Sequence, residues 1–257
     1  MLIPGIVSVT FRDKTVDEIL QASSSCGLKA IEWSENAHVL PDDEEGAKQL
    51  HAKTIAAGLQ IAAYGSYFRL LASEQPEDVF KKSLLSAKAL QAPVIRIWAG
   101  GVASSEATSE YRSRIAAEAR LIADLAAKEG IKVALEWHRG TLTDQNESGL
   151  QLLDEVDHPN LYCLWQPTIE LSMKERCEGL RELVARNKLL HIHAYYWQGE
   201  MRRPFAEGAE EWRQYFAQLG IQDVRYVLIE FVKDNTIEQL SRDAAALKRC
   251  IDKLYEI

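Results

Sequence analysis

Short apolar runs alternate with longer amphipathic stretches from one end of this chain to the other, which predicts strand and helix in turn. The strand runs are Ile3–Phe11, Ala30–Trp33, Leu59–Tyr64, Val94–Trp98, Ile131–Glu136, Leu161–Gln166, Leu189–Ala194 and Tyr226–Phe231. Between them apolar residues recur at helical spacing. Ser105–Glu129 carries Ile115, Leu121, Ile122 and Leu125 on one stripe, and Ile237–Leu254 carries Leu240, Ala244, Leu247 and Ile251. Gly27, Gly58, Gly130 and Gly220 each close a helical stretch just before a strand, where a left-handed cap belongs. Eight strand and eight helix segments without a long gap predict an α/β fold, a (β/α)8 TIM barrel, as a single domain over residues 1–257. A doubly wound open sheet would carry a glycine-rich turn after its first strand, whereas this strand runs into Thr10-Phe11-Arg12.

Four of the later strand runs stop at a potential metal ligand: Glu136, Gln166, His193 and Glu230. They follow one another at the spacing of a strand-plus-helix unit, and a closed barrel brings such strand ends together at its C-terminal rim. Side chains alternate between faces along a strand, which sorts them further. Val227, Ile229 and Phe231 form the apolar outer face, so Tyr226, Leu228 and Glu230 point inward. The same reasoning turns Ala134, Glu136 and His138 inward, then Tyr162, Leu164 and Gln166, then His191 and His193. Two glutamates crowded into one partly buried pocket repel each other, and a divalent cation removes that conflict. The expected cofactor is therefore a divalent metal ion (Mn, Mg, Co or Zn). His191 lies one layer deeper, in a structural role, and His38, His51 and His158 are expected at the surface. Arg96 is flanked by apolar Ile95 and Ile97, and an inward charge needs a partner, for which Glu32 serves in the floor of the site.

The 257 residues carry a formal charge of -8, with no block of Lys and Arg, which argues against a nucleic-acid partner. No apolar run approaches a bilayer span, and Leu2–Phe11 lacks the basic start of a signal peptide. The four cysteines show no CxxC spacing and read as reduced, packed thiols. A cytoplasmic location without a membrane partner is expected, and a homo-oligomer is left open.

The runs Leu135-Glu136-Trp137-His138, Gly140-Thr141-Leu142-Thr143-Asp144, His191-Ile192-His193 and Ile229-Glu230-Phe231 resemble the sugar phosphate isomerase/epimerase family, whose fold is the xylose isomerase-like barrel. The likeness covers nearly the whole chain. It implies a metal held by a Glu, an Asp, a His and a Glu from strands five to eight, which carry over to Glu136, Gln166, His193 and Glu230. Gln166 departs from the pattern, since its amide oxygen is a neutral and weaker donor than a carboxylate.

The resemblance also implies an isomerase or epimerase of a small carbohydrate. The ion would grip neighbouring substrate oxygens and stabilise the enediolate formed when a proton leaves, with Glu136 and Glu230 as the catalytic acid and base. His138, on the Glu136 face, is a candidate to bind a sugar hydroxyl. Tyr64, Trp98, Trp165 and Trp197 are candidate walls for the apolar face of a sugar ring. Arg202 or Arg203, in the loop after strand seven, is where the resemblance places a substrate-binding arginine. A lyase that dehydrates a keto-sugar or inosose on the same metal site is the alternative, and a non-catalytic sugar-binding barrel is a further one. Endonuclease IV shares the fold, but its zinc cluster needs extra ligands where strands three and four here end at Tyr64 and Trp98.

Overall fold

Strand–helix–strand crossovers of one hand let parallel strands close into a ring. In the computed structural model, which describes residues 1–220 and 224–256, the barrel strands are β1 (Leu2–Val7), β2 (Ala30–Ser34), β3 (Gln60–Arg69), β4 (Val94–Trp98), β5 (Lys132–Glu136), β6 (Leu161–Trp165), β7 (Leu189–Ala194) and β10 (Arg225–Ile229). All eight pair in parallel in the closed order β1-β10-β7-β6-β5-β4-β3-β2. A two-stranded hairpin, β8 (Trp197–Gln198) with β9 (Met201–Arg202), projects after β7. Eight helices alternate with the barrel strands: α1 (Val16–Ser25), α2 (Glu44–Ala56), α3 (Pro76–Ala89), α4 (Ser109–Lys128), α5 (Asn146–Val156), α6 (Met173–Ala185), α7 (Ala209–Phe216) and α8 (Ile237–Leu254).

Local chemistry fixes the joints. Thr15 and Glu18 form a reciprocal capping box at the start of α1, as Ser172 and Glu175 do for α6. Gly27, Gly58 and Gly130 take φ of 72°, 73° and 71° after their helices. Gly220 adjoins residues outside the described set. β1 ends at Val7, short of the expected Phe11, because Ser8–Phe11 turns into a single 3-10 turn. There the hydroxyls of Ser8 and Ser34 accept from each other's strands, Ser34 N to Ser8 Oγ at 2.8 Å and Val9 N to Ser34 Oγ at 3.1 Å, in place of a backbone ladder.

The main core lies between strands and helices and includes Trp33, Tyr64, Trp137 and Trp165. Two small strand-derived clusters, around Leu228 with Val7 and Leu164 with Ala134, fill the inside of the ring. The remaining interior is polar: Glu32, Arg96, His191 and His193 are all buried there. The cysteines are free, as expected. No described helix is long and apolar enough to cross a membrane.

Candidate active site

A cavity of about 230 Å³ opens at the C-terminal mouth of the ring, lined among others by Glu136, Gln166, Glu230, Trp98, His138 and Trp197. Each polar group arrives from a strand end. Glu136 closes β5, Gln166 follows β6, His193 is next to last in β7, and Glu230 follows β10. The bend that presents Glu230 is tied on both sides: its N–H donates to Ala194 O at 3.0 Å, and Phe231 N–H donates to Thr10 Oγ1 at 3.0 Å. Phe231 holds φ of 58°, an uncommon conformation for an aromatic residue.

One ligand atom each from Glu136, His193 and Glu230 lies within 4.8 Å of the others, and all three residues are buried. His193 Nδ1 is 3.5 Å from Glu230 Oε2 and 3.8 Å from Glu136 Oε1, without a hydrogen bond of its own. The other ring nitrogen, Nε2, sits 3.0 Å from Glu32 Oε2. A carboxylate behind the imidazole turns Nδ1 toward the cavity. Burial works against a charged His193, but the charges of Glu32 and Glu230 outweigh it and lift its pKa to about 10. Burial likewise raises Glu32, and His193 and Arg96 overcome this to bring it down to about 2. Without a metal, then, His193 is an imidazolium facing carboxylates.

Arg96 completes the floor. Its Nη1 reaches Glu136 Oε2 at 3.2 Å and Ser66 O at 3.0 Å, and its Nε reaches Glu32 Oε1 at 3.4 Å. Gly65 makes room for this: a Cβ there would fall 2.5 Å from Glu32 Oε1 and 3.0 Å from Arg96 Nη2. Glu136 also accepts from Trp98 Nε1 at 2.7 Å and from Gln166 Nε2 at 2.9 Å. The unpartnered imidazole nitrogen, the two facing carboxylates and their mutual spacing fit one divalent cation, whose bonds to such atoms run about 2.0–2.3 Å. Gln166 is beside the cluster and carries an amide oxygen that is available in kind.

The structure brings Glu136, Gln166, His193, Glu230, His138, Trp98 and Trp197 to one mouth, and it separates four other expected residues from it. Tyr64 is buried under the helices and donates to Glu35 Oε2 at 2.9 Å. Trp165 packs edge-on to Tyr215, with ring centres 5.1 Å apart. Both are corrections: Tyr64 follows the inward Ala63, past the irregularity that turns Ala62 and Ala63 both into the ring, and Trp165 lies between the inward Leu164 and Gln166, so both side chains point outward. Arg202 stands behind the wall, its guanidinium 4.3 Å from the Phe231 ring centre and bonded to Asn235 at 2.6 Å. Arg203 turns away to Glu207 at 2.8 Å. The histidines expected at the surface are tethers: His38 reaches Ser8 Oγ at 3.0 Å and His51 reaches Leu90 O at 3.0 Å. His191 does sit deeper, 3.0 Å from Ala62 O, with burial pushing its pKa down to about 4.

Sequence reasoning missed the contact of Glu32 with His193, although its inward parity and the want of a partner for an inward histidine were both readable. It also missed Arg12 as a cavity-lining residue with a charge to offer, whereas Tyr67 and Tyr195, expected among the aromatics of the rim, do line the cavity.

Residues 20–250 match the family described as xylose isomerase-like TIM barrel. Over 164 residues the chain is 29% identical to the 3-dehydroshikimate dehydratase of Bacillus anthracis, a match spanning 61% of this chain and 59% of that curated relative. Among solved structures, the probable 3-DHS dehydratase AsbF of Bacillus anthracis is similar with a TM-score of 0.82 at 21% identity, covering 96% of this chain and 99% of that one. An L-ribulose 3-epimerase is similar with a TM-score of 0.76 at 14% identity over 99% and 97% of the two chains. The IolI protein with a bound zinc atom is similar with a TM-score of 0.77 at 15% identity over 99% and 100%. At these identities the structural likenesses speak for the fold.

Proposed function

Because the chain belongs to the xylose isomerase-like TIM barrel family, we propose that it is a divalent-metal-dependent lyase of the dehydratase kind. It takes a proton from the carbon beside a carbonyl of a small polyhydroxylated substrate, and water leaves from the next carbon. The observation that carries this reading is the unequal fixing of the two site carboxylates. Glu136 is tied by Trp98, Gln166 and Arg96, whereas among the described residues Glu230 has the His193 ring at 3.5 Å as its one ion-pair contact. A carboxylate held by three donors keeps its place, and the freer one is the better base. One base on one face is enough for elimination.

Glu136, His193, Glu230 and the Gln166 amide oxygen would hold a divalent ion, which would supply Lewis acidity to a substrate carbonyl. Glu230 accepts the carbon-bound proton, a carbon–carbon double bond forms, and the bond to the hydroxyl on the next carbon breaks. His138 serves that hydroxyl. Its Nδ1–H donates to Arg139 O at 2.7 Å, so the Nε2 lone pair takes up a proton from solvent and passes it to the leaving hydroxyl, which departs as water. The indole of Trp98, edge-on to the His138 ring with centres 5.9 Å apart, keeps that ring against the wall. The 29% identity to a dehydratase supports the same class.

A second reading, proton transfer without loss of water as in an isomerase or epimerase, is favoured by Glu136 and Glu230 both facing His193 Nδ1, at 3.8 Å and 3.5 Å. Metal-loaded protein incubated in heavy water with a panel of keto acids, ketoses and inososes separates the two. A lyase creates a new ultraviolet chromophore. An isomerase returns deuterated sugar without one. Neither signal on any substrate, with metal bound, would defeat both readings.

A further inference from the structure

Arg12 lines the cavity and carries a charge that no carboxylate of the described residues answers. It is exposed, yet it is not loose. Its Nη2 donates to Tyr67 Oη at 2.9 Å, and its guanidinium carbon lies 5.9 Å from the centre of that ring. Tyr67 packs edge-on to Trp98, with centres 5.4 Å apart, and Trp98 donates to Glu136. On the other side, the buried turn Ser8–Phe11 that leads into Arg12 is pinned through Thr10 to Phe231, the residue after Glu230. The guanidinium is therefore held in register with both site carboxylates.

A second cation stands close behind. Arg202, over the Phe231 ring and bonded to Asn235, also has no carboxylate in ion-pair contact among the described residues. Burial disfavours its charge, Glu230 favours it, and Arg12 again opposes it, which places the two guanidinium charges within each other's field. An anion admitted to this edge relieves that opposition. Glu170, the cavity's competing loop carboxylate, follows β6, three strands round the ring from β1.

We propose that this edge of the mouth is a carboxylate-binding subsite, in which Arg12 holds a carboxylate of the substrate away from its reacting carbon. The assignment rests on the reading that this cavity takes a small carbonyl compound, and it narrows that compound to a keto acid. A planar guanidinium fork matches a carboxylate bidentately. Of the three arginines that line the cavity, Arg96 is paired with Glu136 and Arg139 lies 3.8 Å from Glu200, which leaves the Arg12 guanidinium unanswered, and one such fork suits a carboxylate better than a phosphoryl group.

The test is calorimetric binding to the full chain, with and without added Mn²⁺, of cyclohexanecarboxylate, its neutral carboxamide and inorganic phosphate. The carboxylate is expected to bind more tightly than the other two. Arg12→Gln is expected to weaken carboxylate binding by about tenfold or more while sparing the carboxamide, and Arg12→Lys to recover part of the loss. The proposal is overturned if wild-type protein does not prefer the carboxylate, if phosphate binds better through Arg12, or if Arg12→Gln binds the carboxylate like wild type or loses both ring ligands alike. Binding needs no turnover. A failure of the dehydratase reading would appear as a silent substrate panel with Arg12-dependent carboxylate binding intact.

Discussion

His193 and Glu32, 161 residues apart in sequence, meet 3.0 Å apart inside the barrel with both side chains fully buried. The imidazole thereby presents Nδ1 to the two rim carboxylates, so Glu32 is a positioning residue for the proposed metal site. Replacing it as Glu32→Gln is expected to lower divalent-metal affinity by about ten- to a hundredfold. It should also lower the melting temperature of the metal-free protein, because Arg96 loses a buried partner. Titration calorimetry with Mn²⁺ or Zn²⁺ measures the first effect, and wild-type affinity in the variant would show the tether to be idle.

The same pair gives the site a pH dependence with a definite sign. His193 is lifted from 6.5 to about 10, so its contribution to metal-free stability is complete below 6.5 and is lost as pH rises through about 10. Glu32 is lowered from 4.5 to about 2, so its contribution is complete above 4.5 and is lost as pH falls through about 2. Thermal melts of chelator-treated protein should therefore decline on both sides of the window between 4.5 and 6.5 as far as this pair governs them. A metal must displace the Nδ1 proton, so metal affinity should climb by up to about tenfold per pH unit below the histidine's folded pKa. Affinity flat with pH would show that His193 is not a ligand.

Glu136→Gln and Glu230→Gln are each expected to reduce turnover by about a thousandfold or more with the fold retained. The two should differ in kind. Glu230→Gln removes the base, and Glu136→Gln also breaks the contact with Arg96 seen at 3.2 Å and should cost stability. Full activity in either variant would remove that carboxylate from the mechanism.

Gln166→Glu tests the neutral position at the rim. In wild type the amide donates to Glu136 Oε1 at 2.9 Å. A carboxylate there would face Glu136 with like charge, so the metal-free variant should melt lower than wild type. With a divalent ion the order should reverse, because a charged oxygen binds it more tightly than an amide oxygen. Melting curves with and without Mn²⁺ read both signs in one experiment.

Tyr64→Phe separates packing from substrate contact. The lost hydroxyl bond to buried Glu35 is expected to cost about 1–3 kcal/mol of stability and to leave KM unchanged. Burial and the nearby Glu35 charge both raise the Tyr64 pKa, so the phenol is neutral and donating throughout the working range. A change in KM without loss of stability would return Tyr64 to the substrate wall.

The barrel was legible because strand and helix periods alternate without interruption, and Glu136, Gln166, His193 and Glu230 were legible because strand parity and strand-end position agree. Tyr64 and Trp165 were misassigned by residue type, although the parity that turned Leu164 and Gln166 inward already turned Trp165 out. Arg202 and Arg203 depended on the course of a loop, and the β8–β9 hairpin that sets it rests on turn geometry that a periodicity argument does not reach. Arg12 was hidden for another reason: the run Ile3–Phe11 reads as one strand, and the 3-10 turn that aims Arg12 is made by hydroxyl bonds to Ser34 on the neighbouring strand.

The bare backbone at Gly65 has a wider meaning. It is the gap into which Glu32 and Arg96 fit, and through them it supports the imidazole at one side of the mouth and Glu136 at the other. One added methyl at that spot would be felt at the reactive end although nothing at that end had been altered. Scaffold and chemistry here share a single keystone, and it is a vacancy.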